Sequence, residues 1–185
     1  MLSTQTGMVA GSARGLFWEV ADCPSAVAAI RARGVVVQDC ADAPPGLLAD
    51  FSDPDGNLWT VSTCFAGTYA NGTLANVGVP VSNQDQSLSF YVNSLGFTVI
   101  EDRPNPDPFP GRYIELAAPG GGARITLAIW WDTMPAGSRT GLSLGTTDVA
   151  GTITALRAKG VPVDNRGAFT DPDGNGWTVA QAAAG

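Results

Sequence analysis

Two stretches of the chain decide its fold: Phe51–Val61 reads FSDPDGNLWTV, and Phe169–Val179 reads FTDPDGNGWTV. Nine of these eleven positions are identical, at an offset of 118 residues. A second match lies upstream, where Ala28–Val37 (AAIRARGVVV) resembles Thr154–Val163 (TALRAKGVPV) at an offset of 126. Repeats of this kind indicate that one structural unit occurs more than once. Because the two offsets differ by eight, the later copy has the shorter loop before its last strand.

Each copy contains the same order of local signals. In the first copy, the apolar run Leu16–Val20 predicts a strand, and Asp22 with Pro24 favours the start of a helix. That helix is predicted over Ser25–Arg33 and ends at a glycine, and the remaining strands are predicted at Val35–Val37, Gly46–Phe51 and Leu58–Ser62. The later copy repeats this order, with a helix over Asp148–Lys159 and strands at Leu142–Thr146, Val161–Val163 and Trp177–Ala180. The repeated unit is therefore β-α-β-β-β.

A third unit of the same order lies between the two copies. Asn76–Val81 predicts its first strand, and Gln84–Leu95 predicts a helix with apolar residues on one face. Four prolines within Arg103–Pro110 predict a loop, because proline cannot donate to a sheet ladder. The strands on either side of that loop are predicted at Phe97–Ile100, Arg112–Ala117 and Arg124–Trp130.

The segment VPVSNQDQSLSFYVNSLGFTV (Val79–Val99), followed by TDPDGNGWTV (Thr170–Val179), resembles the vicinal oxygen chelate superfamily. That superfamily includes glyoxalase I, extradiol dioxygenases and bleomycin-resistance proteins. The resemblance implies an α+β fold, in which repeated β-α-β-β-β halves have curved mixed sheets that form an open cup. The chain would then contain one full module plus one extra half.

The order of the halves predicts the domain organisation. Residues 1–66 form an unpaired second-half unit, residues 67–74 a linker, and residues 75–185 a complete module with its first half at 75–135 and its second half at 139–182. An unpaired half exposes a sheet edge, which natural proteins avoid. We therefore expect a homo-oligomer joined through the unpaired half, or pairing across the edge of the complete module, unless the chain is part of a longer protein with two modules.

Composition excludes several classes of function. The net charge is −7 and the pI is about 4.3, which disfavours nucleic acid as a partner. The chain has no histidine, so mechanisms that need a histidine base are excluded. No apolar run long enough to span a membrane and no secretory leader are predicted. The odd count of three cysteines argues against a disulfide framework and predicts a cytoplasmic protein with buried, reduced thiols.

The resemblance also locates four positions at which metal-using members of the family carry ligands. Here these positions are Asn76, Thr126, Gly141 and Thr178. Amide and hydroxyl groups bind divalent metals weakly without a carboxylate or imidazole beside them. We therefore expect no metal and no cofactor.

Alternation of side chains along the predicted strands indicates what the cup would offer to a ligand instead. The residues predicted to line it are Asn76, Tyr113, Glu115, Thr126, Trp130, Ser143 and Thr178. An aromatic pair with one carboxylate suits a flat or cationic compound. The leading hypothesis is a metal-independent small-molecule-binding protein that sequesters a cationic or aromatic compound such as an antibiotic. The alternatives are a metal-independent lyase or isomerase that uses Glu115 and Tyr113, and a module with only an assembly role.

Overall fold

The structure is a computed structural model that describes residues 9–43, 46–63, 73–106, 109–129 and 134–182. The chain divides into two compact units, with the boundary after Gly78. We call Val9–Gly78 the N-terminal unit and the chain from Val79 onward the C-terminal unit. Both units combine helices with mixed sheets, so the predicted α+β class is confirmed.

The N-terminal unit contains one helix and the strands around it. Its elements are β1 (Leu16–Glu19), α1 (Cys23–Arg31), β2 (Ala41–Ala43), β3 (Gly46–Ser52), β4 (Leu58–Ser62) and the start of β5 (Thr73–Pro80). The strand order in this unit is β2-β3-β4-β1-β5. β1 runs parallel to β4 and antiparallel to β5, with Phe17 opposite both Thr60 and Asn76. The outer edge of β1 is therefore occupied by β5, which begins inside the predicted linker.

Two of the predicted strands are absent. The pattern predicts a strand at Val35–Val37, but only a single bridge from Val37 to Phe51 forms there, and Val36 is 90% exposed. The corresponding segment Val161–Val163 also lies outside the strands, because Pro162 has no N–H to donate to a ladder. The valines at its two ends are nevertheless buried, so the pattern predicts burial correctly and strand pairing wrongly.

The prediction that the cysteines are reduced is wrong for one pair. Cys23 and Cys40 form a disulfide that closes a separation of 17 residues. Cys23 is the first residue of α1 after the N-cap Asp22, and its counterpart in the later copy is Val149, which follows the N-cap Asp148. Cys40 lies in the longer loop that distinguishes the first copy. The disulfide therefore fastens this loop to the helix, while Cys64 lies outside the described residues.

The C-terminal unit has two sheets. One contains β8 (Arg124–Ala128), β7 (Arg112–Ala117) and β6 (Thr98–Pro104), in that order. The other has the order β10 (Ala168–Thr170), β11 (Gly176–Gln181) and β9 (Leu142–Thr146). The helices are α2 (Gln84–Ser89), which continues as a π-helical turn over Phe90–Ser94, and α3 (Val149–Ala158). None of the helices among the described residues combines the length and the apolar character needed to cross a membrane.

One apolar core joins both sheets of the C-terminal unit. β7 contributes Ile114 and Leu116, while the second sheet contributes Leu144, Trp177 and Val179. Hydrogen bonds tie the Asp-Pro-Asp-Gly-Asn turn between β10 and β11 to this core. Tyr91 donates its hydroxyl proton to Asp171 Oδ2 (2.8 Å), and Trp177 Nε1 donates to the Tyr91 hydroxyl (3.1 Å). These bonds give the turn a structural role.

Asn175, the last residue of this turn, is fully buried and makes three side-chain hydrogen bonds. Its Nδ2 donates to Pro80 O (2.9 Å) and to Asp171 Oδ2 (2.7 Å), and its Oδ1 accepts from Arg139 N (3.0 Å). In the first copy, half-buried Asn57 makes only two equivalent bonds, to Asp53 and Ala13. The turn of the later copy therefore also holds the end of β5 in place.

We expect Asn175→Ala to lower the free energy of unfolding by about 3 kcal/mol, because it leaves a buried donor and a buried acceptor without partners. The matched change Asn57→Ala removes a less buried amide and should cost about 1 kcal/mol. Urea denaturation followed by circular dichroism measures both. A loss at Asn57→Ala equal to that at Asn175→Ala would contradict the difference in burial.

We also expect reduction of the Cys23–Cys40 disulfide to lower the free energy of unfolding by about 3 kcal/mol. This is the stabilisation that the chain-entropy account gives for a disulfide that closes a loop of this length. Thermal melts with and without a reductant measure this loss, and Cys40→Ser should reproduce it. Cys64→Ser is the control, since it keeps both bonded cysteines and should retain the full response. Three titratable thiols in the unreduced, denatured chain would contradict the disulfide, which leaves one of the three cysteines free.

Candidate functional site

Three of the predicted ligand residues lie together on one face of β7 and β8. Ile114 and Leu116 point into the core, so Tyr113 and Glu115 point the opposite way. Glu115 lies directly opposite Thr126 in the ladder. A hydrogen bond also joins the hydroxyl of Tyr113 to the side chain of Thr126. These three polar side chains therefore form one continuous surface.

Charged residues on β6 and β8 surround this surface. Arg124 Nη1 donates to Glu115 Oε2 at 3.3 Å, and Arg103 Nε donates to Glu101 Oε1 at 2.6 Å. The Arg103 guanidinium also lies 4.7 Å from the centre of the Tyr113 ring, a cation–π contact. Two carboxylates are thus balanced by two guanidinium groups. We call the set Glu101, Arg103, Tyr113, Glu115, Arg124 and Thr126 the β6–β8 polar face.

Side chains at the centre of this face are more buried than those at its rim. The side chain of Glu115 is only 4% exposed, whereas those of Glu101 and Arg103 are 44% and 40% exposed. Thr126 is also buried, and Tyr113 is half-buried. A ligand would therefore meet the Arg103–Glu101 pair first and the Glu115–Thr126 pair at the bottom.

The pKa of Tyr113 is raised well above its ordinary value, first by burial and then by the negative charge of Glu115. Both causes disfavour the tyrosinate form. The phenol therefore stays protonated at neutral pH. It offers a hydroxyl group to a ligand and is a poor proton acceptor.

Ser143 and Thr178 form a second surface in the C-terminal unit. They lie opposite each other on β9 and β11, and both are exposed. Their neighbours Leu144 and Trp177 point into the core. Ser143 and Thr178 line an open cleft with a volume of about 560 Å³.

The structure does not bring all of the predicted residues onto one surface. The sheets of the C-terminal unit turn their apolar faces toward the same core. The β6–β8 polar face and the surface of Ser143 and Thr178 therefore lie on different sides of that core. Trp130 lies outside the described residues.

Asn76 belongs to the N-terminal unit, where it is fully buried on β5. It lies in a row across four strands, with Phe17 beside it on β1, then Thr60 and Asp50. Thr60 Oγ1 donates to Asp50 Oδ1 at 2.7 Å. Glu19 points to the same side as Phe17 and is 5% exposed. This unit therefore has its own polar surface with two carboxylates.

Sequence reasoning missed four of these residues. The sequence contained a signal for Arg124. It lies two positions before Thr126, and the alternation of side chains along a strand places both residues on one face. Glu101 and Arg103 were missed because the predicted strand ends at Ile100, whereas β6 continues to Pro104. Asp50 lies on a predicted strand, but the sequence alone does not indicate which face of that strand is polar.

The residues at the four family ligand positions do not fit a divalent metal. Asn76 offers an amide, Thr126 and Thr178 offer hydroxyls, and Gly141 offers no side chain. Within the described ranges there is also no cluster of three residues of the types His, Cys, Asp or Glu. These positions therefore lack the carboxylate and imidazole ligands that hold a divalent metal in a protein.

Comparison with known proteins identifies the family of the chain. The model of the Glyoxalase/Bleomycin resistance protein/Dioxygenase superfamily matches residues 73–179, which confirms the resemblance seen in the sequence. Among solved structures, the antibiotic binding protein TnmS3 from Streptomyces sp. CB03234 is 33% identical, with 64% of this chain and 99% of that chain covered and a TM-score of 0.55. A glyoxalase/bleomycin resistance protein from the same organism is 36% identical, with coverages of 58% and 98% and a TM-score of 0.53.

Glyoxalase I from Zea mays shares the fold over a longer stretch. It is 16% identical, with 91% of this chain and 67% of that chain covered and a TM-score of 0.68. Identity at this level shows the fold alone. A search of curated proteins finds no match.

The raised pKa of Tyr113 predicts that Tyr113→Phe leaves the tyrosinate absorbance unchanged in a titration of the folded protein to about pH 10.5. The denatured chain is the control, since all three tyrosines titrate there and the variant should lose a third of the signal. A loss of one tyrosinate equivalent in the folded variant would contradict the burial of this phenol beside Glu115.

Proposed function

This chain belongs to the glyoxalase/bleomycin resistance protein/dioxygenase superfamily, and we propose that it binds a small organic molecule on its β6–β8 polar face without a metal. The observation that carries this proposal is the grouping of Tyr113, Glu115 and Thr126 at the bottom of a face whose charges are already paired. The similarity to an antibiotic binding protein at 33% identity supports the same class of function.

The chemistry of this face favours a planar aromatic ligand. Arg103 lies over the ring of Tyr113 with 40% of its side chain exposed, so it presents a flat cationic surface for stacking. Thr126 and the phenol of Tyr113 supply hydrogen-bonding groups below it. The sequence favoured a cationic ligand equally, because Glu115 was expected to act alone. Arg124 offsets that charge, which weakens the support for a cationic ligand.

The proposed site is smaller than the one predicted from the sequence. Asn76 and Trp130 were expected to contact the same ligand, and so were Ser143 and Thr178. We narrow the proposal to Tyr113, Glu115 and Thr126, since Ser143 and Thr178 lie across the core from them. This separation makes Thr178 a matched control for Thr126.

The alternatives are less well supported. A lyase or isomerase that uses Glu115 and Tyr113 needs a group that accepts or releases a proton near neutral pH, whereas Tyr113 holds its proton and Glu115 accepts a hydrogen bond from Arg124. A role in assembly alone does not explain why the polar residues Glu115 and Thr126 are buried next to each other. We therefore place binding ahead of both.

Assembly and location also stay proposals. The hypothesis of a homo-oligomer joined through residues 1–66 has less support, because β5 occupies the outer edge of β1. A cytoplasmic location was inferred from reduced cysteines, whereas the Cys23–Cys40 disulfide favours an oxidising setting.

Isothermal titration calorimetry tests the proposed function. The titrants are bleomycin and a series of planar aromatic antibiotics, each with a chelator and again with added Zn²⁺. We expect saturable binding that needs no metal. Thr126→Ala should weaken that binding about tenfold, which corresponds to one lost hydrogen bond of about 1.4 kcal/mol. Tyr113→Ala should weaken it further, because stacking is lost as well.

Thr178→Ala is the control, since it removes the same atoms from the opposite side of the core and should leave the affinity unchanged. Equal losses at Thr126→Ala and Thr178→Ala would contradict the β6–β8 polar face as the site. Binding that appears only with Zn²⁺, or no binding across the series, would contradict the proposed function.

A further inference from the structure

The two copies of the repeated unit hold the segment after their helix in the same way. In the first copy, Arg31 Nη2 donates to Val37 O at 2.8 Å and to Asp39 Oδ1 at 2.7 Å. In the later copy, Arg157 Nε donates to Val163 O at 2.8 Å. The two arginines and the two valines correspond at an offset of 126 residues. Each copy therefore fastens this segment to its helix through one arginine.

The Cys23–Cys40 disulfide adds a second fastening in the first copy. The later copy has no cysteine, because the cysteines of the chain are Cys23, Cys40 and Cys64. Val163 is nevertheless buried, so the later segment packs against its core without a disulfide. By this comparison, we expect the first copy to keep its fold when the disulfide opens. A disulfide that opens and closes in a folded protein has to meet this condition.

The two bonded cysteines differ in exposure. Cys23 is 0% exposed and belongs to the apolar cluster of the N-terminal unit. Cys40 is half-buried and lines a cleft of about 700 Å³ together with Arg31 and Asp39. A thiolate attacks the disulfide sulfur to which it has access. Attack from solvent is therefore directed to Cys40 Sγ.

We propose that the Cys23–Cys40 disulfide is a site of reversible exchange with a low-molecular-weight thiol, which becomes attached to Cys40. The thiolate of the small molecule forms a bond to Cys40 Sγ, and the bond between Cys40 Sγ and Cys23 Sγ breaks. The electron pair of the broken bond stays on Cys23, which takes up a proton because the apolar cluster disfavours a buried charge. In the return step, Cys23 gives up this proton, attacks Cys40 Sγ and expels the small thiol. Each step exchanges one disulfide for another, so neither step consumes an oxidant.

The segment that the disulfide fastens is also bonded to β3. Val37 forms a bridge with Phe51, and Gln38 N donates to Asp50 O at 2.9 Å. Asp50 belongs to the polar surface of the N-terminal unit, where it accepts a hydrogen bond from a threonine. We therefore expect an attached thiol to loosen residues 37–43 and to leave the corresponding segment of the later copy unchanged.

Glutathione is the probe for this proposal, and Cys64→Ser is the starting chain, so that Cys23 and Cys40 are its remaining cysteines. The folded protein is incubated in a series of buffers that contain reduced and oxidised glutathione. Each sample is then acidified, and peptide mass spectrometry locates the adduct. We expect the adduct on Cys40 to exceed that on Cys23 at least about tenfold. An equal division of the adduct, a larger share on Cys23, or a folded protein that gains no adduct across the series overturns the proposal.

Two matched variants of the Cys64→Ser chain measure the access to each sulfur separately. Cys23→Ser leaves the Cys40 thiol, and Cys40→Ser leaves the Cys23 thiol. We expect Ellman's reagent to react at least about tenfold faster with folded Cys23→Ser than with folded Cys40→Ser, and at equal rates with both in urea. Circular dichroism checks that each variant is folded. Equal rates in the folded variants contradict the proposal, and if either variant does not fold, the position of the glutathione adduct decides.

Hydrogen exchange measures what the attached thiol does to the chain. Amides in a peptide covering 37–43 should exchange at least about tenfold faster in the glutathione adduct, while those in a peptide covering 163–169 should not change. Unchanged exchange over 37–43 overturns the proposal, and so does a loss of protection throughout the chain, since the disulfide would then be needed for the fold. None of these outcomes depends on the ligand of the β6–β8 polar face, so the proposed binding function stands or fails separately.

Discussion

The rest of the structure depends on the hydrogen bonds that the Asp-Pro-Asp-Gly-Asn turns make to the leading strands. Asn57 Oδ1 accepts from Ala13 N, and Asn175 Oδ1 accepts from Arg139 N, so each turn fixes the start of its leading strand against its last strand. Because strand side chains alternate, this one anchor sets which residues face the core and which face outward. A shift by one residue would turn Trp177 outward and Thr178 into the core. The turn of the later copy therefore fixes β9 against β11 and, with it, the outward position of Ser143 and Thr178.

The two copies of the repeated unit differ both in the pairing of the leading strand and in the burial of the polar face. In the N-terminal unit, β1 has β5 beside it, and the polar residues of its outward face are buried. In the C-terminal unit, β9 has no such neighbour among the described residues, and Ser143 and Thr178 are exposed. The half over residues 1–66 pairs through β1 with β5. The order of halves along the chain does not state which edges meet, so the sequence leaves two partners open for this half: a second chain and the edge of the complete module.

The fold followed from the sequence because repeats and alternation are local and strong signals. Alternation alone placed Tyr113 and Glu115 away from Ile114 and Leu116. The Cys23–Cys40 bond could not be predicted in this way, because its partners meet only through the longer loop of the first copy. The ion pair of Arg124 with Glu115 required β7 and β8 in register, and Arg103 required β6 to extend into a segment rich in proline. The contacts that could not be predicted are therefore those between residues on different strands or loops, because they depend on the register of strand pairing.

The pairing of charges on the β6–β8 polar face constrains what it can bind. A carboxylate as buried as Glu115 is costly unless it is paired, and Arg124 supplies that partner from the adjacent strand. A ligand that displaced Arg124 would have to replace the ion pair as well as desolvate itself. Under the proposed function, affinity would come from stacking on Arg103 and Tyr113 and from hydrogen bonds to Thr126, which require no exchange of charge. For this reason the proposed ligand is a planar, uncharged aromatic group rather than a cation.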